Sequence, residues 1–296
     1  MEAFDLLVIG GGAAGMAAAL AAAGTGRRVL LCEKDARLGG ILNQCIHRGF
    51  GRAVFGKDLT GREYAAEFLS KMELSDVLVH TGTTVLSLSP DRTALLSGRD
   101  GLHRVRFERC ILAAGCRERT LGSLAVAGTR PAGIFTAGAA QRLENVDGLR
   151  VGRRIVILGS GDIGQIMARQ FVQTGREVVA VVEQMDHVGG LPRNRRECLE
   201  ACAVPVLLRA TVDEVLGSGR IQGVMVRDLD TGSRWELACD TLVTALGLIP
   251  DQSLCREVLS EGNLSSWLRL CGNCESVHDI VDSVTKEAET LGAELW

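Results

Sequence analysis

Proline and lysine are scarce in this sequence, and no long apolar run interrupts it. Five prolines in 296 residues leave little room for extended linkers, so one large or two modest compact domains are expected. Only four of the 33 basic residues are lysines, aromatic residues make up 4% and the formal charge is −3. With no basic stripe and no aromatic platform, nucleic acid is not an expected partner. The alanine-rich run from Ala13 to Ala23 is too short and too broken by glycine to be a transmembrane segment. The chain opens directly into Phe4-Asp5-Leu6-Leu7-Val8-Ile9, with no basic leader or cleavage site, so a cytoplasmic protein is expected, at most peripheral to a membrane. A chain of this size needs no disulfide staples. Its ten cysteines are scattered, and Cys32, Cys110 and Cys239 fall inside apolar strands, where they read as small buried hydrophobes in a reducing compartment.

Glycine, by contrast, is abundant: 36 residues, about 12% where about 7% is usual. The glycines cluster after apolar runs, which points to tight strand-to-helix turns. Leu6–Ile9 is a continuous apolar run, as a strand covered on both faces requires. Gly10-Gly-Gly-Ala-Ala-Gly15 follows, then helix formers to Ala23, a strand Arg28–Cys32 and the acidic Glu33. Gly10, Gly12 and Gly15 form G-x-G-x-x-G: the first permits the tight turn, the second lets a pyrophosphate approach the backbone, the third lets helix and strand pack closely. The phosphates would sit on the N–H groups of a helix beginning at Ala13 and Ala14. Glu33, 18 residues past Gly15, is placed to accept hydrogen bonds from ribose hydroxyls.

The same grammar recurs in mid-chain. Ile155–Leu158 precedes Gly159-Ser-Gly-Asp-Ile-Gly164, a helix runs from Gln165 to Gln173, and the strand Val178–Val182 ends in Glu183, 19 residues past Gly164. A second nucleotide would meet Gly159, Gly161, Asp162, Ile163 and Gly164. An acid at Glu183 favours NADH, because a carboxylate repels the 2′-phosphate of NADPH. Arg193, Arg195 and Arg196 follow, and read either as a counter-charge for NADPH or as a solvated helix start. Cys110-Ile-Leu-Ala-Ala-Gly115 and Thr241-Leu-Val-Thr-Ala-Leu-Gly247 are apolar strands ending in glycine, each bringing the chain back to a nucleotide at a strand's carboxyl end. Elsewhere the patterning predicts an exposed amphipathic helix over 59–72, a strand over 77–85 and a half-exposed hairpin over 102–111. It also predicts a helix over 195–203, a strand over 204–208, a hairpin of 221–229 with 235–237, and a final helix over 277–291.

In motif order the chain resembles the FAD/NAD(P)-dependent pyridine nucleotide–disulfide oxidoreductase superfamily, in its thioredoxin-reductase-like size class, over nearly its whole length. The resemblance implies an α/β chain of two Rossmann-like domains, each a three-layer ββα FAD/NAD(P)-binding fold. The FAD domain would be discontinuous, 1–117 and 246–296, with the NAD(P) domain, 118–245, inserted. It further implies non-covalent FAD on the first turn and on Lys34, Gly40, Val85, Ala114 and Gly115, and NAD(P)H on the second turn and Gly247. The superfamily's second FAD motif ends in Gly-Asp, the acid contacting the ribityl chain. The match here is Gly272-Asn273, followed by His278, Asp279 and Ile280 at the start of the last helix.

More narrowly, Gly39-Gly-Ile-Leu-Asn-Gln-Cys-Ile-His47, Pro131-Ala-Gly-Ile-Phe-Thr-Ala-Gly-Ala-Ala-Gln141 and Cys271-Gly-Asn-Cys-Glu-Ser-Val-His-Asp-Ile-Val-Asp282 resemble one branch. That branch holds flavoproteins associated with glycerol-3-phosphate-dehydrogenase-like proteins, and subunits of sarcosine oxidase, opine oxidase and cyanide synthase. It implies a flavoprotein component serving an acceptor protein, such as a glycerol-3-phosphate-dehydrogenase-like subunit, or a small acceptor, and a homodimer is one arrangement it allows. The short link between Asp251 and Trp267 is a weak pointer to a surface covered by a partner.

The superfamily's small disulfide reductases carry Cys-x-x-Cys in the inserted domain, and none lies between Gly115 and Glu183. Its larger members place two cysteines after the Gly-Gly that matches Gly39-Gly40, where only Cys45 falls, with Leu42 and His47 near the places of the pair. Cys45, its ionisation assisted by His47, is one candidate redox cysteine, and packing beside the flavin is the other reading of it. Cys271 and Cys274 overlap the second FAD motif, and Cys198 and Cys202 stand four apart on a helix. The leading expectation is an FAD-dependent NAD(P)H:acceptor oxidoreductase whose electrons leave the flavin directly. A single-cysteine disulfide or peroxide reductase and a non-catalytic assembly subunit with structural FAD are the alternatives.

Overall fold

In the computed structural model, residues 1–260, 263–264 and 266–295 are described; part of the link between Asp251 and Trp267 lies outside them. The chain divides into two compact units, Met1–Arg117 with Ile249–Trp296, and the inserted Glu118–Leu248.

The first unit opens with β1 (Glu2–Ile9), α1 (Ala13–Ala23), β2 (Val29–Cys32), α2 (Gly61–Glu73) and β3 (Leu78–His80). An antiparallel meander follows: β4 (Thr84–Leu88), β5 (Thr93–Gly98) and β6 (Gly101–Leu112). The parallel strands run in the order β3-β2-β1-β6, and the late strand Leu268–Leu270 pairs with the end of β6. β1 is apolar without alternation because both faces are covered. Leu6 and Val8 pack in one cluster with α1, with Tyr64 and Phe68 of α2 and with Ala288 of the C-terminal helix (Val281–Glu294). Phe4, Leu7 and Ile9 pack in another with Leu96 and Val105 of the meander. β1 lies between β2 and β6, so chain direction across the sheet switches there, which is where such folds leave a crevice at the strands' carboxyl ends.

Several local expectations differ. β6 is one 12-residue strand, not a hairpin over 102–111, and its hairpin partner is β5. The stretch 77–85 breaks into β3 and β4 around Gly82, which takes φ +59°. The helix expected at 59–72 starts at Gly61, where Thr60 Oγ1 accepts the Glu63 N–H (3.2 Å) and Glu63 Oε2 accepts the Thr60 N–H (2.7 Å), a reciprocal cap. It is not an exposed helix, since Tyr64, Ala65, Phe68 and Met72 are buried.

The inserted unit repeats the plan. Its chain order is β7 (Ile134–Thr136), α3 (Ala137–Asn145), β8 (Arg154–Leu158), α4 (Asp162–Gln173), β9 (Glu177–Val182), β10 (Val206–Leu207), β11 (Ala210–Gly217), β12 (Ile221–Asp228), β13 (Arg234–Ala238) and β14 (Thr241–Thr244). The parallel sheet is ordered β7-β14-β8-β9-β10, and β11-β12-β13 form a separate antiparallel ladder, extended at β11 by the short parallel strand Ala127–Gly128. Ile155 and Ile157 of β8 pack with Met167 and Phe171 of α4; Val156 and Leu158 pack with Val212, Val224 and Val226 of the antiparallel sheet. Each unit is therefore a three-layer ββα sandwich, the second inserted into the first. The helix expected over 195–203 is a single α-turn at Pro192–Asn194 followed by a wider π-type turn over Arg195–Glu200. Among the described residues no helix is long and apolar enough to cross a membrane.

Candidate functional site

The first turn is built by contacts that only glycine allows. Gly10 has φ +105°, and a Cβ there would lie 2.4 Å from the Ala113 carbonyl oxygen. A Cβ on Gly15 would lie 1.7 Å from the Gly10 oxygen, so α1 rests directly on the turn. Gly12 differs, with no atom within 4 Å of where its Cβ would be. It is the N-cap residue of α1, no side chain caps the helix, and its first turn, opened by Ala13 and Ala14, holds no acid. Open backbone at a helix N-terminus fits a pyrophosphate.

Glu33 is buried. Its Oε2 accepts the Gly11 N–H (2.7 Å) and its Oε1 accepts the Asp35 N–H (2.7 Å). Each carboxylate oxygen keeps a second lone pair, which suits two ribose hydroxyls. Lys34 beside it is exposed. The chain then folds back on the turn: the Gly39 N–H donates to Gly11 O (2.7 Å), and a Cβ on Gly40 would lie 3.1 Å from Gly12 Cα. Ala114 is exposed just past β6, and Gly115 takes φ +75° with open space about it. A Cβ on Gly272 would lie 2.9 Å from that of Ala14, so the two glycine segments expected to hold FAD meet at the first turn of α1. Val85 has its side chain in the core with Leu96, leaving only its main chain, at a bulge in the β4–β5 ladder, to meet a ligand. His278, Asp279 and Ile280 precede the last helix instead of opening it; Ile280 is its N-cap residue.

Cys45 and His47 lie on the segment before α2. The Cys45 thiol is buried, donates to Ile41 O (3.3 Å), and is pushed up to about 12 by burial. A Cβ on Gly61 would lie 2.5 Å from Cys45 Cβ, so the residue is packed against the start of α2. The His47 ring lies against Phe50, centroids 5.1 Å apart. These surroundings oppose the thiolate that a redox cysteine needs. The described residues include all ten cysteines, and none of them is joined in a disulfide. Burial raises the Cys271 thiol to about 12, Cys274 donates to Leu112 O (2.8 Å), and Cys202 donates to Glu197 O (3.7 Å). Among the described residues no cluster of His, Cys, Asp and Glu could hold a metal.

The second turn copies the first. Gly159 has φ +100° with a hypothetical Cβ 2.3 Å from Ala245 O, that of Gly164 would lie 2.7 Å from Gly159 O, and Gly161 is open. Glu183 is buried, and its Oε1 accepts the Met185 N–H (2.9 Å), as Glu33 accepts Asp35. Its Oε2 accepts two donors, the Ser160 N–H (2.8 Å) and Ser160 Oγ–H (2.6 Å). Ser160 Oγ also accepts the Gly189 N–H (2.9 Å). Gln165 Nε2 donates to Ser160 O and Gly189 O, both at 2.7 Å. Asp162, first residue of α4, accepts the Leu191 N–H and Asn194 Nδ2, also at 2.7 Å. The segment after Glu183 is thereby strapped across the turn. Ile163 is half-buried beside it, and Gly247, at φ +91°, accepts the Arg119 N–H (2.9 Å). Arg193 pairs with Glu197 and Arg195 with Glu200, both at 2.9 Å, as a solvated helix start would have it. Sequence reasoning passed over Ser160, Gln165 and Asn194. The signal was a Gly-Gly pair six residues after each acid, Gly39-Gly40 and Gly189-Gly190.

The pyridine nucleotide-disulphide oxidoreductase family model matches residues 4–264. The alpha chain of sarcosine oxidase from Corynebacterium sp. (strain P-1) is 28% identical over 265 residues, covering 83% of this chain and 26% of that protein. One of the opine oxidase subunits of Agrobacterium tumefaciens (strain Ach5) is 32% identical over 190 residues, 61% of this chain and 37% of that protein. The chain thus spans well under half the length of these relatives. The crystal structure of T. acidophilum thioredoxin reductase shares the fold, with a TM-score of 0.80 at 21% identity over 100% of this chain and 98% of that one.

Proposed function

The chain belongs to the pyridine nucleotide-disulphide oxidoreductase family, whose enzymes use FAD and NAD(P)H, and we propose on that premise that it is an NADH-preferring FAD oxidoreductase that hands electrons to an acceptor without an internal disulfide. We assign FAD to the first unit and the nicotinamide nucleotide to the inserted one. The observation that carries this reading is the pair of matched turns, each with a glycine-tight bend, a glycine N-cap with open space where a Cβ would lie, and a buried acid oriented by main-chain N–H groups.

In the first unit the N–H groups at Gly12, Ala13 and Ala14 would hold the pyrophosphate. Glu33 would hold the ribose, and Gly40, Gly115 and Gly272-Asn273 would lie along the rest of the cofactor. In the second, Gly161 with the start of α4 and Glu183 would do the same for the nicotinamide nucleotide. Glu183 opposes a 2′-phosphate by charge, which supports NADH. FAD held there would supply a two-electron centre for hydride from nicotinamide, and the protein's part would be alignment and electrostatics.

The buried, protonated Cys45 supports an exit for electrons that bypasses thiols. Relatives that are oxidase subunits support a role as the flavoprotein component of an amine-oxidising or glycerol-3-phosphate-dehydrogenase-like assembly in the cytoplasm. Anaerobic titration with NADH and NADPH tests the reading. NADH should bleach bound flavin at lower concentration than NADPH, and protein that cannot be reconstituted with FAD would sink it. Cys45→Ser should keep turnover nearly intact; a collapse of turnover with flavin still bound would point to a cysteine reductase instead.

A further inference from the structure

Asn273, His278 and Glu287 form a hydrogen-bonded chain from the second glycine motif of the first unit to the surface. The His278 main-chain N–H lies 3.1 Å from Asn273 Oδ1. Because a main-chain N–H can only donate, this contact identifies the amide oxygen and fixes how the side chain is turned. His278 Nδ1 lies 3.3 Å from that same oxygen, which accepts only, so Nδ1 carries a proton. His278 Nε2 lies 2.8 Å from Glu287 Oε2, again an acceptor. Both ring nitrogens face acceptors, and a ring with a proton on each nitrogen would donate to both. The His278 side chain is 16% exposed and that of Glu287 56%, so the imidazole end of the pair is inward and the carboxylate is in water.

Asn273 is changed by this arrangement. Two donors occupy the lone pairs of its Oδ1, so only its Nδ2–H groups remain to offer, and one of these points at Cys116 Sγ (3.8 Å). The position where the superfamily carries an acceptor acid therefore presents a donor here, with the His278 ring behind it.

We propose that His278, clamped by Glu287, is a positioning residue that locks Asn273 as a hydrogen-bond donor and makes the second glycine motif favour the more electron-rich, reduced state of the flavin. This rests on the assignment of FAD to the first unit. Two variants and two readouts separate the possibilities. In flavin-free wild-type protein, nitrogen NMR at pH 7 should show the His278 ring protonated at both nitrogens, and Glu287→Gln should lose that signature. A neutral wild-type ring overturns the clamp whether or not flavin binds. In FAD-loaded protein, His278→Ala and Glu287→Gln should each weaken binding of reduced flavin about tenfold more than oxidised flavin. That ratio corresponds to a midpoint potential lower by about 30 mV for a two-electron couple. Glu287→Gln, a surface change, guards against loss of fold in His278→Ala. Normal FAD binding with unchanged potentials in both variants overturns the proposal alone, whereas wild-type protein unable to bind FAD overturns the assignment beneath it.

Discussion

At Gly11 the first turn carries no side chain, and a Cβ there would lie 2.4 Å from Leu38 Cδ2 and 3.1 Å from Glu33 Cβ. The matching residue of the second turn is Ser160, fully buried, whose hydroxyl joins Glu183 to Gly189. Lone-pair counting separates the two acids: Glu33 keeps one free acceptor site on each oxygen, whereas Glu183 keeps one in all, on Oε1. In the proposed nucleotide site, Ser160 would thus fix which carboxylate oxygen faces a ribose. Removing the hydroxyl as Ser160→Ala deletes a hydrogen bond to a charged group and strands the Gly189 N–H, an effect of about 1.5–3 kcal/mol. The dissociation constant for NADH should rise about tenfold or more while that for FAD stays put, as isothermal calorimetry with each nucleotide will read. An unchanged NADH constant would mean that the strap over the turn does not shape the site. Residues of this kind are hard to read from sequence. Glycine spacing and the following acid are visible because sterics leave few substitutes, but a serine inside G-x-G-x-x-G falls at a free position, and its partner becomes apparent only when the chain folds back 29 residues later.

At the scale of elements, α3 is tied to the turn after α4 by Glu144 and Arg176, whose side chains are 7% and 5% exposed. Two guanidinium nitrogens meet the carboxylate, Glu144 Oε1 also accepts the Val151 N–H (3.0 Å), and the guanidinium lies 4.9 Å over the Phe171 ring. Glu144→Ala should cost about 3–5 kcal/mol, because it leaves an uncompensated buried charge. Replacing both residues with apolar ones of similar volume should cost far less. Chemical denaturation of the two variants distinguishes a paired charge from simple packing, and a loss under about 1 kcal/mol in Glu144→Ala would refute the role given to the pair. Nothing in the sequence links two residues 32 apart. The strand–turn–helix units were legible because β1 and β8 are covered on both faces and read as unbroken apolar runs. β6 was not, because its burial changes along its length: residues 101–104 are exposed and 110–112 buried, so no single period describes it. α2 read as exposed because the side chain that helps cover its apolar stripe, Phe55, comes from the preceding loop, 5.0 Å from Tyr64 and 5.5 Å from Phe68 between centroids.

Over the whole molecule, eight of the ten cysteines are buried and two, Cys116 and Cys202, are partly exposed. Burial raises the thiols of Cys32, Cys45 and Cys271 to about 12 and those of Cys239 and Cys255 to about 11. Released by unfolding, the same thiols ionise near 9. Below pH 9 both states hold these protons and the thiols contribute their full stabilisation as buried apolar groups. Between pH 9 and 11 the unfolded chain sheds protons that the folded chain keeps, so stability falls as pH rises. By pH 12 the folded state must either bury thiolates or open. Urea midpoints should therefore hold steady from pH 7 to 8.5 and fall progressively from 9 to 11. Under native conditions at pH 8, a disulfide reagent should modify two thiols quickly and the other eight only at the rate of unfolding. Rapid modification of Cys45 among the first would contradict its burial. It would also reopen the thiol route for electrons that the proposed function leaves out, because a thiolate available at pH 8 is what a single-cysteine reductase requires.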